Sequence, residues 1–152
     1  MREVRITGSV PSAPDDAFAA VSDLGRFPEL APDVREVNVS EVDGHRQSAW
    51  KVKFRGGMLE WTEQDEPDPT TRTLTFRQLH GDFKEFFGEW RVEPRGSGSA
   101  VVFNASFDLG IPALRAVLEP IAAKSLHTNM TAVLRGLFGA GVEGAGVEIE
   151  GR

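Results

Sequence analysis

Between Val34 and Leu109 the chain repeats one pattern six times: apolar and polar residues alternate, and a short cluster of Gly, Pro or Asp ends the run. Alternation with a period of two sends successive side chains to opposite faces of a β-strand. Links this short leave no room for a crossover helix, so neighbouring strands must run antiparallel. The pattern predicts strands at Val34–Val42, Gln47–Arg55, Met58–Glu66, Thr71–Leu79, Phe83–Glu93 and Ala100–Leu109. A meander of this kind has an apolar face to cover, and the cover must come from the ends of the chain.

At the N-terminal end, Arg2–Val10 alternates as well and predicts a seventh strand. Ser12 is the expected N-cap of a short helix through Ala17, Phe18, Ala20 and Val21, with Pro14, Asp15 and Asp16 in its first turn. A second helical piece is expected from Leu24 to Leu30, stopped by Ala31-Pro32. At the other end the period changes: Leu114, Val117, Leu118, Ile121, Leu126, Met130, Val133, Leu134 and Leu137 recur at helical steps. They predict a long helix near residues 112–138, which Pro120 should kink or divide. Residues 141–152 are Gly- and Glu-rich and expected to be loose; the last four, Ile149-Glu150-Gly151-Arg152, resemble a processing-protease recognition tetrapeptide. The fold class is thus α+β, one domain over residues 1–140: a seven-stranded curved antiparallel sheet around a long C-terminal helix, with two short helices. A curved sheet wrapped on one helix leaves space between them, and that space is where a site is expected.

Composition narrows the function. The absence of cysteine excludes disulfides and thiolate metal sites and suits a reducing compartment. No apolar run approaches the ~20 residues of a membrane span, and Met1-Arg2-Glu3-Val4-Arg5 is not a signal sequence, so a cytoplasmic protein is expected. A net charge of −6 argues against a nucleic-acid partner. Lys51, Lys53 and Arg55 read as the solvated outer face of one strand. His45, His80 and His127 have no metal-ligand spacing, and no GxSxG, phosphate loop or GxGxxG occurs, so neither metal nor cofactor is expected.

The alternation also sorts the faces. Trp50, Val52 and Phe54 are assigned inward, then Leu59, Trp61, Glu63 and Asp65, then Leu74, Phe76, Gln78 and His80, then Phe86, Gly88, Trp90 and Val92. On the last strand, Phe103, Ala105 and Phe107 oppose Val102, Asn104 and Ser106, and the pattern does not choose between them. The expected ligand-binding residues are Trp50, Phe54, Trp61, Phe76, Gln78, Phe86 and Trp90; Glu63, Asp65 and His80 are the polar candidates for catalysis. Of the two carboxylates, Glu63 should be the one desolvation perturbs and Asp65 the solvated one.

With this element order, Trp61, Asp68-Pro69-Thr70-Thr71-Arg72-Thr73, Gly81-Asp82-Phe83 and Trp90 make the chain resemble the polyketide cyclase/dehydratase (aromatase/cyclase) branch of the START-like and Bet v 1-like helix-grip proteins. The resemblance implies a hydrophobic polyketide-type ligand in an internal cavity, cyclisation or dehydration chemistry without a cofactor, and an acyl carrier protein as a possible partner of a monomer or homodimer. Relatives in that branch carry a serine two residues and an arginine four residues after the tryptophan matched by Trp61. Here those positions are Glu63 and Asp65, so a positive anchor for the substrate has become negative. The alternative is a non-catalytic binder or carrier of a lipid, quinone or other apolar molecule. A third reading is an interaction domain with a filled core.

Overall fold

The turns decide the topology. Asp43 and Gly44 both take positive φ (53° and 78°), the two-residue hairpin geometry whose twist matches the strands it joins. The computed structural model describes residues 1–110, 112–139 and 148–151. In it, β1 (Arg2–Val10) leads to α1 (Pro14–Ser22), a 3₁₀ turn (Leu24–Arg26) and α2 (Phe27–Leu30). The meander follows: β2 (Val34–Val42), β3 (His45–Phe54), β4 (Gly57–Asp68), β5 (Thr73–Gly81), β6 (Glu85–Arg95) and β7 (Gly98–Asp108). One long helix, α3 (Pro112–Phe138), closes the fold, and a short strand, β8 (Glu148–Gly151), follows it. The strands stand in the order β2-β3-β4-β5-β6-β7-β1-β8, antiparallel throughout.

The seven expected strands are therefore present in a curved antiparallel sheet with the long helix across it. Four local expectations change. Ala13, not Ser12, stands at the N-cap of α1, and the Ser12 carbonyl instead accepts from Ser99 Oγ at 2.7 Å. Arg55 leaves the strand for a turn at φ 58°. Pro120 lies inside α3 without dividing it; it is exposed, and water can serve the carbonyl that its missing N–H leaves over. Glu148–Gly151, expected as loose chain, pair as β8 with the edge of β1, Ile6 opposite Gly151 and Ser9 opposite Glu148. Residues 141–147 and 152 of the expected tail lie outside the described residues.

The core follows the inward faces. Val4, Ile6, Val21, Phe27, Leu74, Trp90, Val101, Phe107, Val133 and Leu134 are buried to 2% exposure or less. At the β6–β7 crossing, a Cβ on Gly88 would fall 2.0 Å from the Asn104 carbonyl oxygen and 2.8 Å from Phe76 Cζ, so only glycine lets these elements approach. Asn129 of α3 pins the helix to the segment before β2: its Oδ1 accepts from Asp33 N–H at 3.2 Å. Among the described residues no helix is long and apolar enough to cross a membrane.

Candidate functional site

Sheet and helix enclose a small cavity of about 50 Å³, room for a few water-sized groups. Eight aromatic residues stand in its wall. Trp50 and Trp61 sit opposite each other in the β3–β4 register and stack with ring centres 5.5 Å apart and planes within 9° of parallel. Trp61 meets Phe83 edge-on at 5.3 Å and Phe86 tilted at 5.3 Å. Phe76, Phe86, Trp90, Phe103 and Phe107 continue the lining around the sheet, and Phe27 braces Trp50 and Trp90 edge-on from behind. Offset and edge-to-face pairs of this kind add roughly 0.5–1.5 kcal/mol each beyond the area they bury. The helix contributes Ala122, Ser125, Leu126, Asn129 and Met130.

Glu63 interrupts this apolar wall. It is 3% exposed, and its Oε1 accepts from Trp61 Nε1 at 2.8 Å. Asp65, two residues on, leaves the same face of β4 and lies behind it, off the cavity lining, at 1% exposure. The Ser48 hydroxyl donates to Asp65 Oδ2 at 2.5 Å and accepts from Trp50 Nε1 at 2.8 Å. Both stacked indoles are thus tied, directly or through Ser48, to the carboxyl pair. Burial raises the pKa of Glu63 well above the ordinary carboxylate value; hydrogen bonding to Asp65 and its negative charge add to the shift, while the Trp61 N–H and Arg46 oppose it. Glu63 is therefore the group most able to be a neutral acid inside the protein.

The other expected residues divide. Trp50, Trp61, Phe76, Phe86, Trp90 and Glu63 line the cavity. Phe54 is half-buried at the end of β3 and packs on the core without reaching the cavity lining. Gln78 is turned to its own hairpin, where its side-chain amide donates to the Phe83 carbonyl at 2.8 Å and accepts from Phe83 N–H at 3.2 Å. His80 is exposed on the outer face, opposite Thr62, because the β4–β5 register slips between Thr62 and Glu63: Glu63 pairs with Gln78, Thr62 with His80, and Leu79 is the extra residue. Gly81 holds this slipped end against Trp61; at φ 148° its own Cβ would lie 2.5 Å from Trp61 Cα. Asp65, expected to be solvated, is the more deeply buried of the two carboxylates.

Reasoning on the strands alone missed Ser48, which alternation places on the Trp50 face, and Arg46 beyond it. Arg46 stands opposite Asp65 in the register, with Nη2 donating to the Ser22 carbonyl at the end of α1. A cation therefore does stand beside the position where relatives carry one, but on the neighbouring strand. The helix residues Ser125 and Asn129 were also missed. Among the described residues, no group of three or more His, Asp or Glu is arranged to hold a metal ion.

A curved antiparallel sheet closed by one C-terminal helix over an aromatic cavity defines a helix-grip protein. The profile described as "Polyketide cyclase / dehydrase and lipid transport" matches residues 10–134, and the chain belongs to that family. It is similar to TTHA0849 from Thermus thermophilus, with 26% identity and a TM-score of 0.80 over 90% of this chain and 94% of that one. At 22% identity, the fold is shared with the ZhuI aromatase/cyclase from Streptomyces sp. R1128 (TM-score 0.77; 92% and 98% of the two chains). It is also shared, at 16% identity, with a START superfamily protein from Mycobacterium smegmatis (TM-score 0.74; 88% and 94%). No curated protein matches the chain.

Proposed function

We propose that this protein binds an apolar, flat aromatic molecule of the polyketide type between its sheet and α3, with Glu63 as the polar contact. The observation that carries the reading is a cavity walled by the Trp50–Trp61 stack and five phenylalanines (Phe76, Phe83, Phe86, Phe103 and Phe107), with one acid of raised pKa set into it. The family and the aromatase/cyclase fold neighbour support the ligand class. A fused ring system is larger than the cavity of about 50 Å³, so binding requires side chains to yield, and unbranched Met130 on the helix wall is suited to that. Titration with 1-naphthol, a flat two-ring aromatic, should move the indole N–H signals in NMR spectra saturably and raise the melting temperature. No signal shift and no thermal shift at any concentration would remove the reading.

A catalytic reading is favoured by the same acid. Protonated Glu63 could donate to a β-hydroxyl leaving as water, and its carboxylate could then take the α-proton, which restores the acid and forms the double bond. Acid–base groups of this kind contribute about 10²–10⁴-fold. Wild type should then dehydrate an aromatic β-hydroxyketone faster than buffer and Glu63→Gln should not; equal rates for the two proteins would leave binding as the function.

A further inference from the structure

We infer, on the binding reading just given, that the polar end of the cavity is built to accept a hydrogen bond, and so selects a ligand bearing a phenolic or enolic hydroxyl where it meets Glu63. Glu63 Oε1 is taken by Trp61 Nε1. Ser48 Oγ accepts from Trp50 and gives its own proton to Asp65 Oδ2, which fixes Asp65 as an acceptor. The other oxygen, Asp65 Oδ1, is buried, and no N–H or hydroxyl group donates to it. A buried carboxylate oxygen without a donor is costly, and a proton on neighbouring Glu63 supplies the missing donor. Arg46, the cation opposite Asp65, turns Nη2 to the Ser22 carbonyl and forms no ion pair within 4.0 Å of either carboxylate among the described contacts, so it does not take that place.

The orientation of that proton determines what a ligand meets. Directed at Asp65, it points away from the cavity, because Glu63 lines the cavity and Asp65 lies behind it. Glu63 then offers only lone pairs to the interior. A ligand carbonyl there would set acceptor against acceptor; a hydroxyl donates and completes the chain from ligand to Glu63 to Asp65.

Three ring-matched probes test this: 1-naphthol, 1-methoxynaphthalene and 1-methylnaphthalene, each titrated while the indole N–H signals are followed by NMR. In wild type, 1-naphthol should bind about tenfold more tightly than 1-methoxynaphthalene, the factor one net hydrogen bond is worth. Glu63→Gln should keep the preference, since its amide N–H₂ can donate to Asp65 while its carbonyl faces the cavity. Glu63→Leu should lose it. Equal binding of all three probes to wild type overturns the inference and leaves the proposed function standing. A preference that persists in Glu63→Leu also overturns it, by placing the hydroxyl elsewhere, as at Ser125 on the helix wall. If no probe binds, the proposed function fails as well. If the leucine variant does not fold, the Trp61 indole N–H, which donates to Glu63 Oε1, decides the matter in wild type: a larger shift with 1-naphthol than with 1-methylnaphthalene supports the inference, and equal shifts overturn it.

Discussion

Glu63 exemplifies what a single residue contributes when a strand runs from an apolar wall into a polar end. Its folded pKa lies above the ordinary 4.5, with desolvation the first cause and Asp65 the second. Between the ordinary and the raised value the folded state holds a proton that the unfolded chain has released. The contribution of Glu63 is therefore greatest below the ordinary carboxylate range and is lost as pH climbs through the raised value. Glu63→Gln removes this titration. Urea unfolding across roughly pH 5 to 8 should show wild type losing stability toward the upper end relative to the variant; parallel curves would mean that Glu63 does not hold its proton. The alternation of β4 made Glu63 and Asp65 legible as inward residues, and the direction of the Glu63 shift followed from burial. The solvation of Asp65 was misjudged because the depth of a strand end depends on what covers it, here Ser48 and Arg46 from β3 and the end of α1.

At the scale of elements, the lesson lies in β5. Alternation carried Leu74, Phe76 and Gln78 inward correctly, then failed at His80. A single extra residue in a strand reverses the faces of everything beyond it, and Leu79 gives no compositional sign of being one. β7 resisted sorting for a different reason: Val101, Val102 and Phe103 are all buried, so both faces look like core. The β6–β7 pair, by contrast, is fixed by a residue that offers no side chain at all. Gly88→Ala should destabilise the protein by about 1–3 kcal/mol, the usual cost of overpacking, because the added carbon meets the Asn104 carbonyl and the Phe76 ring. A shift of the urea midpoint smaller than the error of the measurement would show that β6 can move away from β7.

For the molecule as a whole, the order of strands and helices was readable because each turn is short and marked by Gly, Pro or Asp, and because the change of period near residue 112 announces the helix. The size of the cavity was not readable: it depends on how closely α3 lies on the sheet, a distance no periodicity encodes. Met130, 4% exposed on the helix wall, is one place where that spacing is set by a side chain. Met130→Ala should lower stability by roughly 2–5 kcal/mol and, by enlarging the cavity, tighten the binding of a two-ring aromatic such as 1-naphthol. A variant that loses stability without gaining affinity would show that the void collapses instead of opening.

The Trp50–Trp61 stack has an optical consequence. Parallel indoles 5.5 Å apart do not absorb as independent chromophores; their excited states mix, and the mixing falls steeply with separation and with the angle between the transition dipoles. Because the Trp61 N–H is anchored to Glu63 on the cavity wall and the Trp50 N–H to Ser48 behind it, a molecule entering beside Glu63 would disturb the geometry on which the mixing depends. On the proposed binding function, the exciton pair would serve as a gauge of occupancy, readable by circular dichroism without any added label.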